Sequence, residues 1–243
     1  MGAMNLKEIL IDSVRYSASN LRVIIPLGFV LLIADLADEL SWAGDMADEL
    51  KIILFLLVIL LAIFEAGYVF RILEETVKGS KKLPHFNKFR LMFIHGVKEL
   101  LVLIIYFSIP VLLFGLFFLE FLFSMDLNDV SGENTVLFLI FVTVTLIIYA
   151  FFPAVVLHRA HNNGNVRSGF DFKKIYHKIK HIGLKRLIVV YLGIFIFVTI
   201  IEFVLSDSIA TTVPIVGEII PDLIIAPFIL IFTTRVLGLI DQP

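Results

Sequence analysis

Cysteine is missing from all 243 residues. Its absence excludes disulfide frameworks, iron–sulfur clusters, thiolate zinc sites and thiol nucleophiles, and leaves the redox compartment unmarked. Charge is also scarce, because Asp, Glu, Lys and Arg make up 17% of the chain against roughly 25% in soluble globular proteins. Tryptophan occurs once. Hydrophobic residues fill the space instead: they reach 59%, with 24 phenylalanines and a mean hydropathy of +0.99, where roughly 45–50% apolar is usual. These proportions describe an integral membrane protein. The first 20 residues are too polar for the apolar core of a cleavable signal peptide, and Gly2 starts a myristoylation-like pattern that fails at Leu6. Residues 1–3 read as a remnant of cloning ahead of a native Met4.

About 20 mostly apolar residues cross roughly 30 Å of hydrocarbon. Four stretches meet that length: Ile52–Phe70, Leu100–Leu119, Val136–Leu157 and Leu187–Leu205. Val23–Ala34 is shorter and holds Pro26 and Gly28, and Ile215–Ile231 is interrupted by Glu218, Pro221, Asp222 and Pro227; each either crosses or re-enters. Charge argues for six crossings. With both termini inside, 19 of the 20 Lys and Arg fall on the inner side and only Lys51 outside, as the bias of basic residues toward cytoplasmic loops requires. Inner segments then carry +12 and outer ones −13, and Glu65, within the second span, is the remaining −1 of the net −2. Dropping either weak span puts the clusters at Lys78–Lys98 and Arg167–Arg186 out of step with the termini.

The inner segments have the apolar spacing of helices lying on a membrane. Phe172, Ile175, Tyr176, Ile179 and Ile182 recur every three or four residues, with Lys173, Lys174, Lys178 and Lys180 opposite them. Phe86, Phe89, Phe93 and Val97 repeat the pattern, as do Leu6, Ile9, Leu10 and Val14 behind an Asn5…Glu8 capping signal. The expected fold is therefore an all-α integral membrane protein. It has six transmembrane helices, three in-plane amphipathic cytoplasmic helices and a threefold repeat of hairpins with units 4–71, 85–159 and 168–235, all in one domain. The returning spans end alike, at Arg71, Arg159 and Arg235.

Glu65 is the sharpest single residue, since an ionisable group within a span is costly and is usually paired or turned toward a cavity. Arg71, six residues on and about 9 Å along the axis, is on another face, so Arg159 or Arg235 is the expected partner; the alternative is that Glu65 reaches head groups at the inner interface. Asp35, Glu120 and Glu202 sit near the outer ends of the three outward spans. They either form an acidic ring for cations or are what remains once basic residues are kept from that side. Lys173, Lys174, Lys178 and Lys180 are candidates for anionic lipid heads. His177 and His181 share a helix face, but without a thiolate or a flanking carboxylate pair no metal is expected. Asn162-Asn163-Gly164-Asn165 makes a turn and lacks the Gly-Lys-Ser/Thr ending of a phosphate loop.

Gly67-Tyr68-Val69-Phe70-Arg71, Leu83-Pro84-His85-Phe86, and Gly96-Val97-Lys98 running into Tyr106 and Pro110 resemble an archaeal membrane family, domain of unknown function 4013. Phe152-Pro153-Ala154, Phe170-Asp171-Phe172 and Pro214-Ile215-Val216-Gly217 continue the likeness. The resemblance implies a multispan protein of the archaeal cell membrane and supplies no activity or site residues. Two functions compete on the residues themselves. One is passage or gating of a small solute or ion, suggested by Glu65, the outer acids and the helix-interrupting prolines. The other is lipid binding or scaffolding without transport. No enzyme and no cofactor are expected, because no nucleophile, base and orienting group fall together. The expected partners are membrane lipids and a further copy of the chain, with no nucleic acid; the small-molecule ligand stays unread.

Overall fold

The computed structural model describes residues 5–42, 46–124, 132–201, 204 and 219–241, and every regular element among them is helical. α1 (Leu6–Ser17) starts at Asn5, whose backbone N–H donates to Glu8 Oε2 at 3.1 Å, closing half of the expected capping box. α2 (Leu21–Ser41) is capped by Asn20, which accepts from the Arg22 N–H. α3 (Asp48–Val77), α4 (Phe89–Ser124) and α5 (Gly132–His161) follow. After a 3₁₀ turn over Val166–Phe170 come α6 (Phe172–Ile182) and α7 (Leu184–Ile200). A π-helical turn, Pro221–Ile225, leads into α8 (Ala226–Ile240).

Four helical stretches are long and apolar enough to cross a membrane, at Asp48–Val77, Phe89–Leu119, Thr135–His161 and Pro221–Ile240, and α6 with α7 makes a fifth if that bent pair is one span. α2 has the length, at 21 residues or about 31 Å. Arg22, Asp35, Asp38 and Glu39 at its two ends keep it out of that group. It runs unbroken through Pro26.

The three segments expected on the inner side are not built alike. α6 and α7 meet at 77° across Gly183, whose φ is +88°, a value open to glycine at no steric cost. The segment with Phe89, Phe93 and Val97, expected as a second separate surface helix, instead continues without a break into the span as α4. Gly96, where that break would fall, stays helical because it is pressed against α3. A Cβ there would lie 1.8 Å from the Ile63 carbonyl oxygen, and one on Gly67 would lie 1.8 Å from that of Met92. The two helices therefore cross backbone to backbone, as small residues permit in membranes. Gly28 does the same for α2, with the Leu223 carbonyl in the π-helical turn 2.0 Å from where its Cβ would stand.

Among the described residues, the buried core lies toward the end of the long helices at which α1 and α6 pack. Ile9 of α1, Phe70 and Leu73 of α3, Leu157 of α5, Ile175 of α6 and Phe232 and Val236 of α8 pack together, and Tyr16, Leu27, Tyr68, Ile72, Met92 and Ile231 form a second cluster. The helices are buried to very different extents. Half of the most apolar window of Pro221–Ile240 is buried within the protein, against none of that in Thr135–His161, so α8 is central and α5 offers its flank to whatever surrounds the bundle. Exposed Ile52, Phe55, Leu56, Val111, Leu112, Leu139 and Leu146 continue that apolar outer surface.

Candidate functional site

Arg71, Arg159 and Arg235 anchor the shorter segments to the long helices. Arg71 donates through Nη1 to the carbonyls of His85 at 3.0 Å and Asn87 at 2.9 Å, while its neighbour Tyr68 donates to the Pro84 carbonyl at 2.6 Å; together they fold the 80–87 segment back under α3. Arg159 has no exposed surface and sits 2.6 Å from Glu99 Oε1 on α4. Its guanidinium lies over the Phe70 ring, 5.3 Å from the centroid, and Nη2 makes a long contact of 3.4 Å to the Gly164 carbonyl. Tyr106 closes the same corner by donating to the Gly169 carbonyl at 2.6 Å. Arg235 ties down α1: Nε and Nη2 each approach Asp12 Oδ2 at 2.9 Å, and Nη1 donates to Thr76 Oγ1 and the Ser80 carbonyl. Its guanidinium stands 4.2 Å from the centroid of Tyr16. Burial pushes the Tyr16 phenol up to about 12, with the Arg235 charge acting in the opposite direction.

Neither Arg159 nor Arg235 pairs with Glu65, because Glu99 and Asp12 already hold them. Glu65 is half-buried and has no hydrogen bond or ion pair among the described residues. It looks into a groove of about 420 Å³ whose other walls are Ile59, Ala62, Ile63, Ala66 and Val69 of α3, Leu100 and Leu103 of α4, and Leu230 of α8. No arginine lines it. Ile59, Ala62, Leu100 and Leu103 are exposed, so the groove opens at the side of the bundle. One carboxyl on an otherwise apolar wall is what this arrangement presents.

The remaining candidates scatter. Asp35 on α2 is near enough to Asp222 in the π-helical turn to interact electrostatically; Glu202 and the side chain of Glu120 lie outside the described residues, so the acidic ring is untested. Lys173 and Lys180 are exposed on α6. Lys174 reaches Asp171 Oδ2 at 2.9 Å, and that contact holds the Asp171 carboxyl below its ordinary range. Lys178 approaches Asp241 Oδ2 at 2.7 Å, and His161 meets the same oxygen. The Asp241 side chain is nearly fully buried and joins α5, α6 and the end of α8. Among the described residues no three His, Asp or Glu cluster as metal ligands.

Glu99, Asp12 and Asp241 carry no signal in the spacing of the chain. An acid one helix away from a span-ending arginine leaves no mark in sequence spacing. The close approach of Gly67 and Gly96 had a signal, since both begin the quoted motifs. The family model for protein of unknown function DUF4013 matches residues 50–207, from α3 through α7. No curated protein and no solved structure matches. Matched over about two thirds of its length, and helical with several spans' worth of apolar sequence, the chain belongs to the family of proteins of unknown function DUF4013.

Proposed function

We propose that this is a non-enzymatic, six-span protein of the cell membrane that binds lipid along its sides. Both termini and the basic helix α6 are on the cytoplasmic face. The reading rests on the Glu65 groove, which opens laterally, is walled by apolar side chains and excludes all three arginines. A solute path would need polar groups facing an enclosed void. The arginines that could have supplied them are spent on Glu99, Asp12 and backbone carbonyls. Exposed Lys173 and Lys180 add attraction for anionic head groups, about 1 kcal/mol for each cation close to the surface. Membrane lipid is the principal partner; nucleic acid and a cofactor have no part.

Native mass spectrometry of the chain extracted in mild detergent tests this. Retained lipid that is shed when Lys173 and Lys180 are neutralised or the groove is filled is the expected result, and a chain that releases all lipid overturns it. Passage of a small solute or ion is the second reading, favoured by the π-helical turn at Pro221–Ile225 beside Pro227, since such turns recur at functional sites. Flux in proteoliposomes that Glu65→Gln abolishes would establish it over lipid binding.

A further inference from the structure

Resting on the lipid-binding reading, one residue in the groove specifies its occupant. A carboxylate within a span is costly unless it is paired, and Glu65 has no cation among the described residues, while Arg71, Arg159 and Arg235 are engaged elsewhere. A second copy of the chain would bring none to that depth, because no Lys or Arg lies within the apolar stretches 23–34, 52–70, 100–119, 136–157, 187–205 and 215–231. The groove's other eight lining residues are apolar. A head group with several hydroxyls would therefore leave most of them unsatisfied, and a phosphate would face the Glu65 charge. A volume of about 420 Å³ falls in the range of small-molecule sites, roughly 300–1,000 Å³. Exposure of Ile59, Ala62, Leu100 and Leu103 lets a molecule enter from the lipid.

We propose that the Glu65 groove binds a membrane-borne amphiphile with a single protonated amine, its ammonium on the Glu65 carboxylate and its tail along Ile59, Ile63, Leu100 and Leu103. The amine supplies the one charge the groove lacks, and the tail replaces bilayer lipid along its wall.

The test uses the full chain in phosphatidylcholine nanodiscs at pH 7, with radiolabelled dodecylamine, dodecanol and dodecyl sulfate as probes and empty nanodiscs subtracted. Dodecylamine is expected to bind at least tenfold tighter than the other two. Glu65→Gln, nearly isosteric, should bring it down to the level of dodecanol, a tenfold loss or about 1.4 kcal/mol, and Ala62→Phe should weaken all three by filling the wall. Should Ala62→Phe fail to fold, Glu65→Gln still decides. Equal binding of the three probes, or an amine preference that survives Glu65→Gln, overturns the proposal. So does an Ile59→Cys cross-link between two copies that leaves no room for amine. Native lipid that co-purifies while the amine preference fails would remove this inference and leave the lipid-binding reading intact.

Discussion

Gly67 on α3 and Gly96 on α4 lock the two helices reciprocally, each passing within 1.8 Å, measured from an added Cβ, of a carbonyl oxygen on the other helix. Alanine at either position forces the helices apart. A loss of about 1–3 kcal/mol is expected, the usual cost of overpacking a tight contact, read as a lower melting midpoint in detergent. Gly115→Ala, in open space, serves as the control and should melt like the parent. Parental melting of both Gly67→Ala and Gly96→Ala would contradict the crossing.

Arg159 and Glu99 form a pair from which water is nearly excluded. Removing one member leaves the other as an unpaired buried charge, which costs about 3–5 kcal/mol. Arg159→Met is expected to be poorly folded. Arg159→Met with Glu99→Gln should regain a large part of the loss, since two neutral groups of similar size replace the charges. A double variant no more stable than the single one would sink this account.

Asp12 is more exposed than Arg235, so its pairing is screened and is worth about 1 kcal/mol or less. Asp12→Asn should therefore leave the bundle folded and loosen only the docking of α1. Faster amide exchange over residues 6–17, with α8 unchanged, is the expected pattern; uniform exchange across the chain would refute it.

The Asp171 carboxyl caps α6, accepting from the Lys174 backbone N–H at 3.3 Å, and its folded-state pKa is depressed chiefly by the side-chain contact with the Lys174 ammonium. A depressed carboxyl adds stability above its unfolded value, about 3.9, and that share disappears as pH falls through the folded value. Protection from exchange at the first turn of α6, taken relative to the intrinsic amide rate at each pH, should fall only below about pH 4, and Asp171→Ala should show the lower protection at every pH.

Because the chain has no cysteine, single substitutions report sidedness without background. Lys51→Cys and Lys173→Cys, introduced separately into oriented vesicles, should react with an impermeant maleimide from opposite sides. Labelling of both from one side would break the proposed six-span arrangement.

The long apolar runs made α3, α4 and α5 readable, since hydrocarbon thickness acts on each stretch by itself. The boundary of α4 was not readable. Phe89, Phe93 and Val97 carry the same spacing as the apolar face of α6, and what decides between a bend and a straight helix is whether the glycine is pressed against a neighbour. Gly96 is and Gly183 is not. Glu65 stood out because its cost is local to one helix, whereas the partners of Arg159 and Arg235 depend on which helices meet. Asp12 and Arg235 are separated by 223 positions, and no periodicity spans that distance.

Among the described residues, Arg71, Arg159, Arg235 and Asp241 bind α1, α6 and the 80–87 segment to the long helices, whereas the most apolar windows of α3, α4 and α5 are only 11%, 11% and 0% covered by the protein itself. Whatever apolar medium surrounds the bundle therefore touches those three helices along most of their length, and where that medium is a bilayer, its thickness weighs on them at fractions of a kcal/mol per Å of mismatch.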